Sequence, residues 1–427
     1  MRRSVPGRDR RLLFVLVLGV VVLAVVGWRV LPAPATRVPN KLVRTPCGAA
    51  RVVDSTPTAL RVVGNRMVDS QGNPFVPYGI SLVGGPENKR WAWTEKGATA
   101  QIIASKRFWH ANAVRIQVSE ALLLDKPTPG HDHNVPFAAS LDRLVCRVLQ
   151  QGQIPIVNDT TLFTTRSRGP TERTVRFWRF MSRRYGNRLP VVFDLFNEPR
   201  LGRNPRTKRF IRPAQVWRVW ERGGKVAGKT YLSMQTLVDT IRIRERVQNV
   251  IWAEEPWYLY PDKLLTSELP EHLLRGNGIV YAFHKVTLDD RSRSFRALAA
   301  VAAKGIPLVD SEWSQFAATD RPWECQDNAR AGVLRFLGFL RQAPIGLIVW
   351  SLQPGALVKG QAGADTVNDG NDFRFTTNPY DLAAPNAMKP GYGCNRASRG
   401  QGAGALVQDF FAQSRMPAPA ALFPRFY

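Results

Sequence analysis

Acidic residues are scarce in this chain: 33 aspartates and glutamates stand against 60 lysines and arginines, which leaves a formal charge of +27 over 427 residues. The excess is mostly arginine and runs along the whole length, so no basic tail stands apart. No helix-turn-helix, zinc-finger or RNA-binding signature accompanies it, and nucleic acid is not expected as a partner. A basic exterior suits anionic lipid or an acidic envelope polymer equally well, and so speaks to association rather than to chemistry. Cysteine is also rare, with 4 in all, and no CxxC or Cys/His spacing is present. Neither a metal nor another cofactor is therefore expected. The His131-Asp132-His133 cluster sits in a Pro/Gly loop and reads as solvated surface. Asp365 to Asp372 has the look of a calcium loop, but Val367 stands where an oxygen ligand belongs, so a solvated turn is expected.

Long apolar runs are lacking too, except at the N-terminus. Arg2, Arg3, Arg8, Arg10 and Arg11 precede an uninterrupted apolar stretch from Leu12 to Trp28. That length is near the lower limit for crossing a bilayer, and its positive flank belongs on the cytoplasmic side. Residues 1–11 are expected as a basic cytoplasmic arm and 12–30 as a transmembrane anchor or signal segment, with everything later outside the cell membrane. Ala33-Pro34-Ala35 has the small-x-small form of a cleavage site, which would give a secreted protein instead. The stretch is longer than most signal-peptide cores, which favours a retained single-pass anchor. Residues 31–55 form a Pro/Ala-rich linker and lead-in. No second linker follows, so 56–415 reads as one domain and 416–427 as a tail. In an exported chain 4 cysteines fit two disulfides. Cys325–Cys394 with Cys47–Cys146 is the favoured pairing, although two other connectivities remain open.

Val62 to Phe75 reads as a small hairpin with turns at Asn65 and at Gln71-Gly72-Asn73, capping the start of the domain. Strand-like runs then alternate with amphipathic ones. The strands are Val76 to Ser81, Ala113 to Val118, Ile154 to Asn158, Val191 to Phe196, Val250 to Ala253, Ile279 to His284, Ile306 to Asp310 and Gly346 to Ser351. Helical periodicity marks Ala138 to Gln151, Thr171 to Tyr185, Leu232 to Val247, Ser294 to Lys304 and Asn328 to Gln342. Eight strand-then-helix units in one chain predict an α/β fold, a (β/α)8 TIM barrel, whose reactive side chains gather at the C-terminal ends of its strands.

Two of those strands end in glutamate. The fourth runs into Asn197-Glu198-Pro199 and the seventh into Glu312-Trp313. Cleaving an acetal needs one carboxylic acid to protonate the leaving oxygen and one carboxylate on the other side of the anomeric carbon, and this pair supplies both. Arg115 lies within the second strand. A guanidinium inside a barrel is costly unless it meets a carboxylate, so it is expected to hold Glu312 ionised. Glu198 is expected to carry the proton, raised by its partner's field and by desolvation. Glu254 and Glu255 follow the fifth strand ahead of Pro256-Trp257 and read as subsite or structural groups. Arg200 to Gly224 reads as a long basic loop whose Trp217 and Trp220 edge the mouth.

Asn-Glu-Pro after the fourth strand, His284 after the sixth, Glu312-Trp313 after the seventh and Trp350 after the eighth together resemble glycoside hydrolase family five, the cellulase-type retaining glycosidases of the clan A barrels. The resemblance covers roughly residues 60 to 355. It implies a glycosidase acting on a β-linked polysaccharide or oligosaccharide, endoglucanase- or mannanase-like. Glu198 would be the acid/base and Glu312 the nucleophile. Asn197 would meet the sugar 2-hydroxyl, Arg115 and His284 would surround the carboxylates, and Trp350 would floor the subsite, with Trp313 and Trp257 as further substrate contacts. The chain departs from the family pattern at two places. Thr160 stands where a histidine is usual, and Val286 where a tyrosine steadies the nucleophile. Tyr281 cannot replace that tyrosine, since its offset points it to the opposite face of the strand. These departures are the main support for the alternative, a barrel that binds envelope polysaccharide with little or no cleavage, but both glutamates are kept, which favours an unusual subfamily over an inactive one.

Overall fold

Side chains on a strand alternate between its two faces, and in a closed barrel one face fills the interior while the other meets the helices. The computed structural model describes residues 47, 59–82, 95–160, 167–202, 204, 207, 209, 211–256, 269–284, 293–313, 329–343, 345–352 and 404–414. The chain divides into two units, Met1–Val43 and Arg44–Tyr427. The first unit, with the expected anchor, lies outside the described residues, as do Cys325, Cys394, Trp257, Val286 and the Asp365 to Asp372 segment. No helix among the described residues is long and apolar enough to cross a membrane.

Strands β1 (Arg61–Val63) and β2 (Arg66–Val68) form the expected antiparallel hairpin. The barrel strands are β3 (Tyr78–Ser81), β4 (Ala113–Val118), β5 (Ile154–Asp159) and β6 (Val192–Asp194). A second small hairpin, β7 (Gly224–Val226) and β8 (Lys229–Tyr231), comes next. Then β9 (Ile251–Glu254), β10 (Ile279–Phe283), β11 (Leu308–Trp313) and β12 (Gly346–Val349) complete the barrel. The sheet closes in the order β3-β4-β5-β6-β9-β10-β11-β12, every neighbouring pair parallel. All eight strand-like runs of the sequence are barrel strands.

The alternation is plain in β4 and its neighbours. Ala113 joins Ile154, Ile156, Val192, Trp252, Val280 and Ile348 in an inner apolar cluster, while Val114, Ile116 and Val118 belong to the layer shared with the helices. Met67 of the first hairpin enters the inner cluster, with Leu60, Val62 and Phe75 packed against it, so the hairpin plugs the N-terminal end of the barrel. Arg115 falls two residues beyond Ala113, on the inward face and nearer the open end. In β11 the pairing with β12 shifts between Asp310 and Trp313. Such an irregularity resets the alternation, and it turns Glu312 inward and Trp313 outward.

Four of the five amphipathic stretches form helices close to the expected bounds: Val135–Gln150, Glu172–Tyr185, Arg293–Ala303 and Ala329–Gln342. The Leu232 to Val247 stretch is not one regular helix: Met234–Asp239 is α-helical and Thr240–Arg244 winds wider as a π turn. Cys47 is bonded to Cys146, with Cα atoms 5.2 Å apart, and so ties the lead-in to the Val135–Gln150 helix.

The Arg200 to Gly224 reading needs correction. Pro213–Arg222 is a helix with Pro at its start and Gly223 just past its end, an arrangement that suits both residues. Trp217 and Trp220 are buried. Trp217 stacks on His272 at 5.4 Å, and the Trp220 indole N–H donates to the Glu254 carbonyl at 2.7 Å. Neither edges the mouth.

Candidate active site

Among the described residues, three carboxylates and an amide at the C-terminal end of the barrel gather around the Arg115 guanidinium, which is wholly buried. A planar guanidinium has five donors in a fixed fork, and four contacts use them here. Nε donates to Asp194 Oδ2 at 2.8 Å and Nη1 to Glu312 Oε2 at 2.7 Å. Nη2 donates to Asn197 Oδ1 at 2.8 Å and to Glu254 Oε1 at 2.6 Å. Residues from β4, β6, β9 and β11 thereby converge on one cation. Because Arg115 occupies the Asn197 amide oxygen, only the amide NH2 of that side chain is left to donate to a ligand.

Glu198 is held by its backbone as much as by its side chain. Its φ is +47°, a conformation that costs a non-glycine residue on the order of 1–2 kcal/mol. Two hydrogen bonds fix it there. The Glu198 N–H donates to Glu254 Oε2 at 2.6 Å, and the preceding Asn197 N–H donates to the Asp159 carbonyl at 2.8 Å. Glu254 is thus the strut between Arg115 and the Asn-Glu-Pro turn, a structural role within the range expected for it. Glu198 Oε1 lies 3.3 Å from His284 Nδ1, and Oε2 accepts from Arg200 Nη2 at 2.8 Å. The other ring nitrogen of His284 is 3.3 Å from Glu254 Oε1.

An oxygen of Glu198, an oxygen of Glu312 and a ring nitrogen of His284 all lie within 4.8 Å of one another. The two glutamates therefore share one pocket. With an oxygen of each no more than 4.8 Å apart, they are closer than the roughly 6.5–9.5 Å that leaves room for a water between inverting carboxylates, as suits a retaining pair. The same three side chains are the one group among the described residues spaced for a divalent cation. Binding one would require His284 to give up its proton and Arg200 to leave Glu198, so the arrangement suits proton transfer better than a metal.

The charges correct one expectation. Burial pushes the Glu198 carboxyl up, but the hydrogen bond and charge of His284 and the charge of Arg200 outweigh it and hold the group down at about 2. Burial raises Glu312, and the nearby Glu198 and Glu254 charges add to it, against the opposing pull of His284 and Arg115. Without substrate the proton therefore favours Glu312 over Glu198, the reverse of the expected order. The reason is a division of cations. Arg115 is shared among Asp194, Glu254 and Glu312, whereas Glu198 has Arg200 on one oxygen and His284 on the other. Burial lowers His284, but Glu254, Glu312 and Glu198 reverse that and raise it well above the usual imidazole range. Asp194 is pushed up to about 7 by burial and by Glu254.

Trp350, following β12, is nearly buried, 7% exposed. Trp313 is not in the pocket: it is fully buried on the outward face and stacks on Phe336 at 5.4 Å, so it offers no face to a ligand. Thr160 donates its hydroxyl to Asn158 Oδ1 at 2.8 Å and is itself nearly buried. Tyr281 does face away from the site, where its hydroxyl accepts from the Leu274 N–H at 2.7 Å. Sequence reading missed Asp194 and Arg200. An aspartate inside an apolar strand run was the available signal for the first.

Residues 68–356 match the family model described as Cellulase (glycosyl hydrolase family 5). Solved structures of similar shape include the catalytic domain of a Thermobifida fusca endoglucanase in complex with cellotetraose, 17% identical over 77% of this chain and 98% of that one, with a TM-score of 0.51. A β-mannanase from Streptomyces thermolilacinus with mannohexaose is 16% identical over 77% of this chain and 91% of that one, at 0.51. A family 5 cellulase from an Icelandic hot spring isolate is 16% identical over 74% and 88%, at 0.53. At such identities these likenesses bear on the fold alone. Among curated proteins none matches this chain.

Proposed function

Because the chain belongs to the cellulase family of glycosyl hydrolases, family 5, and is a retaining glycosidase, we propose that it cuts β-linked glucan or mannan by double displacement, with Glu312 as nucleophile and Glu198 as acid and base. The observation that carries this reading is the shared pocket, with oxygens of the two glutamates within 4.8 Å. In the first step a Glu312 oxygen bonds to the anomeric carbon as the glycosidic bond breaks, and the Glu198 proton passes to the leaving oxygen. In the second, Glu198 takes a proton from water, whose oxygen displaces Glu312 and restores the configuration.

For this to work the proton must reside on Glu198 when sugar is bound. Arg200 is the part that can move, since its side chain is 31% exposed while that of Arg115 is fully buried. A sugar entering beside Glu198 displaces Arg200 and strips water, and both changes raise the Glu198 carboxyl. Arg115 stays on Glu312 and favours its ionised form. The Asn197 NH2 donates to the 2-hydroxyl, and Trp350 offers its ring to the sugar. The glucan or mannan preference draws on the endoglucanase and the β-mannanase among the similar structures.

The N-terminal segment extends the reading to place. A basic arm at 1–11 and an apolar run at 12–30 tether the barrel to the cell membrane with the catalytic domain outside, and the Cys47–Cys146 bond suits an oxidising compartment. A reducing-end assay over β-glucans, β-mannans and bacterial envelope polysaccharides tests the function. Release by the wild type and none by Glu198→Gln is expected. Binding without release from any of them would leave a non-cleaving polysaccharide-binding barrel.

A further inference from the structure

A second concave surface lies away from the glutamates, on the flank of the barrel along the Glu172–Tyr185 helix. It encloses about 720 Å³ and is lined by Arg176, Arg179, Arg183, Arg184 and Arg188, with Phe180 among them. The spacing produces it. Residues three, four and seven apart share one face of a helix, so Arg176, Arg179, Phe180 and Arg183 form a stripe, which Arg184 and Arg188 extend.

The five cations are not equivalent. Arg184 donates to both carboxylate oxygens of Asp142, its Nε at 2.7 Å, and its guanidinium lies 5.4 Å from the centre of the Phe180 ring. Arg179 and Arg183 share Glu245, at 3.0 and 2.9 Å. Arg176 and Arg188 are exposed, line the groove and make no ion pair among the described residues. Three arginines are thus held in place by carboxylates, and two are left with their charge uncompensated. Asp132 also lines the groove, 2.8 Å from His133, and its negative charge offsets part of that excess without cancelling it. The net charge of the groove is positive, and its guanidinium groups recur along about 10 Å of helix from Arg176 to Arg183, at 1.5 Å per residue.

The geometry points to this groove as a secondary binding site for an anionic polysaccharide, a glycan chain carrying carboxylate or phosphate groups. Three features favour that occupant. A repeating row of guanidiniums matches oxyanions repeated along a chain, which Arg forks engage through paired hydrogen bonds. The surface is a groove, whereas a lipid headgroup layer is flat. Phe180 already carries the His133 ring at 4.7 Å and the Arg184 guanidinium, so it is not the open stacking platform that single-stranded nucleic acid uses. The inference rests on the glycosidase reading in one respect. Leu124, Asp132 and His133 of the groove lie in the connection after β4, on the catalytic side, whereas Arg188 stands just before β6 at the other end of the strands, so the groove runs along the flank as a holding site for the class of polymer that the glutamates would cut.

The test is binding of the full chain in neutral detergent to immobilised polygalacturonate, phosphomannan and neutral mannan, at low salt and at 1 M salt. Arg176→Gln/Arg188→Gln is compared with Arg218→Gln/Arg296→Gln, which removes two other exposed arginines and leaves the same net charge. The inference expects the wild type to retain one of the two anionic polymers and the loss of that binding at 1 M, where the screening length is about 3 Å. The groove variant should bind it about tenfold more weakly while the control variant matches the wild type. The anionic polymer held more tightly names the oxyanion. Equal weakening in both variants, or none in the groove variant, overturns the site and leaves only overall charge. Competition by duplex DNA at lower concentration than either glycan overturns the choice of ligand. Turnover is not read, so failure here leaves the glycosidase assignment standing.

Discussion

Arginine is used in two opposite ways in the catalytic mouth and in the flank groove. Arg115 is wholly buried and bound to Asp194, Glu254, Glu312 and Asn197. Arg176 and Arg188 are exposed and face solvent without a carboxylate. Burial decides what each charge is for. In the interior an unpaired charge costs several kcal/mol, so Arg115 organises its neighbours and sets their proton affinities. At the surface the same group is hydrated and screened, contributes little to the fold and stays available for a ligand. Arg200 stands between the two, partly exposed and paired with Glu198, and so suits a contact that opens when substrate arrives.

The comparison can be broken most severely at the mouth. Glu312→Gln and Glu198→Gln should each lower kcat/KM on a responsive β-glycan by roughly a thousandfold or more, read by release of reducing ends. Wild-type turnover in Glu312→Gln would refute the pairing. Next in size, Arg115→Met should destabilise the fold by about 3–5 kcal/mol in denaturant unfolding, because Asp194, Glu254 and Glu312 lose their shared cation. A change under ~1 kcal/mol would mean that the network is not what holds the mouth.

Proton linkage sharpens the comparison at intermediate size. Asp194 is raised from 3.8 to about 7, so between those values the folded protein holds a proton that the unfolded chain releases. Its contribution to stability therefore falls as pH rises from about 4 to about 7. Asp194→Asn should flatten the melting temperature across that window relative to the wild type, and an unchanged slope would contradict the shift. Glu198 is depressed, so its contribution is present above its unfolded value and is lost only as pH falls towards about 2. Arg200→Gln removes one of its two cations and raises it. The acid limb of kcat/KM, which belongs to the coupled pair in the free enzyme, should move to higher pH. The smallest effect belongs to the groove. Arg176→Gln/Arg188→Gln should change unfolding free energy by no more than about 0.5 kcal/mol.

Much of the fold was legible because the inner and outer faces of the barrel strands have distinct chemistry. The runs that end at Glu198 and Glu312 could be read as strands with reactive tips, and Arg115 as their inward partner. The Pro213–Arg222 helix was misread because its arginines suggested a solvated loop. Yet Val216, Trp217, Val219 and Trp220 already lay at helical spacing between Pro213 and Gly223. Trp313 was misplaced because the irregularity in β11 swaps the faces of the last two residues, and no residue type announces it. The order of acidity was out of reach for a different reason. It depends on Arg200 folding back over two residues, past a positive-φ Glu198, onto the same carboxylate that His284 meets.

The most direct test of the central claim is to trap the covalent intermediate with an activated 2-deoxy-2-fluoro-β-glycoside and map the labelled peptide by mass spectrometry. Double displacement in this pocket predicts one sugar per chain, bonded to Glu312 and absent from Glu312→Gln. A label on Glu198 or Glu254, or full turnover with no trapped sugar and an inverted product, would contradict it.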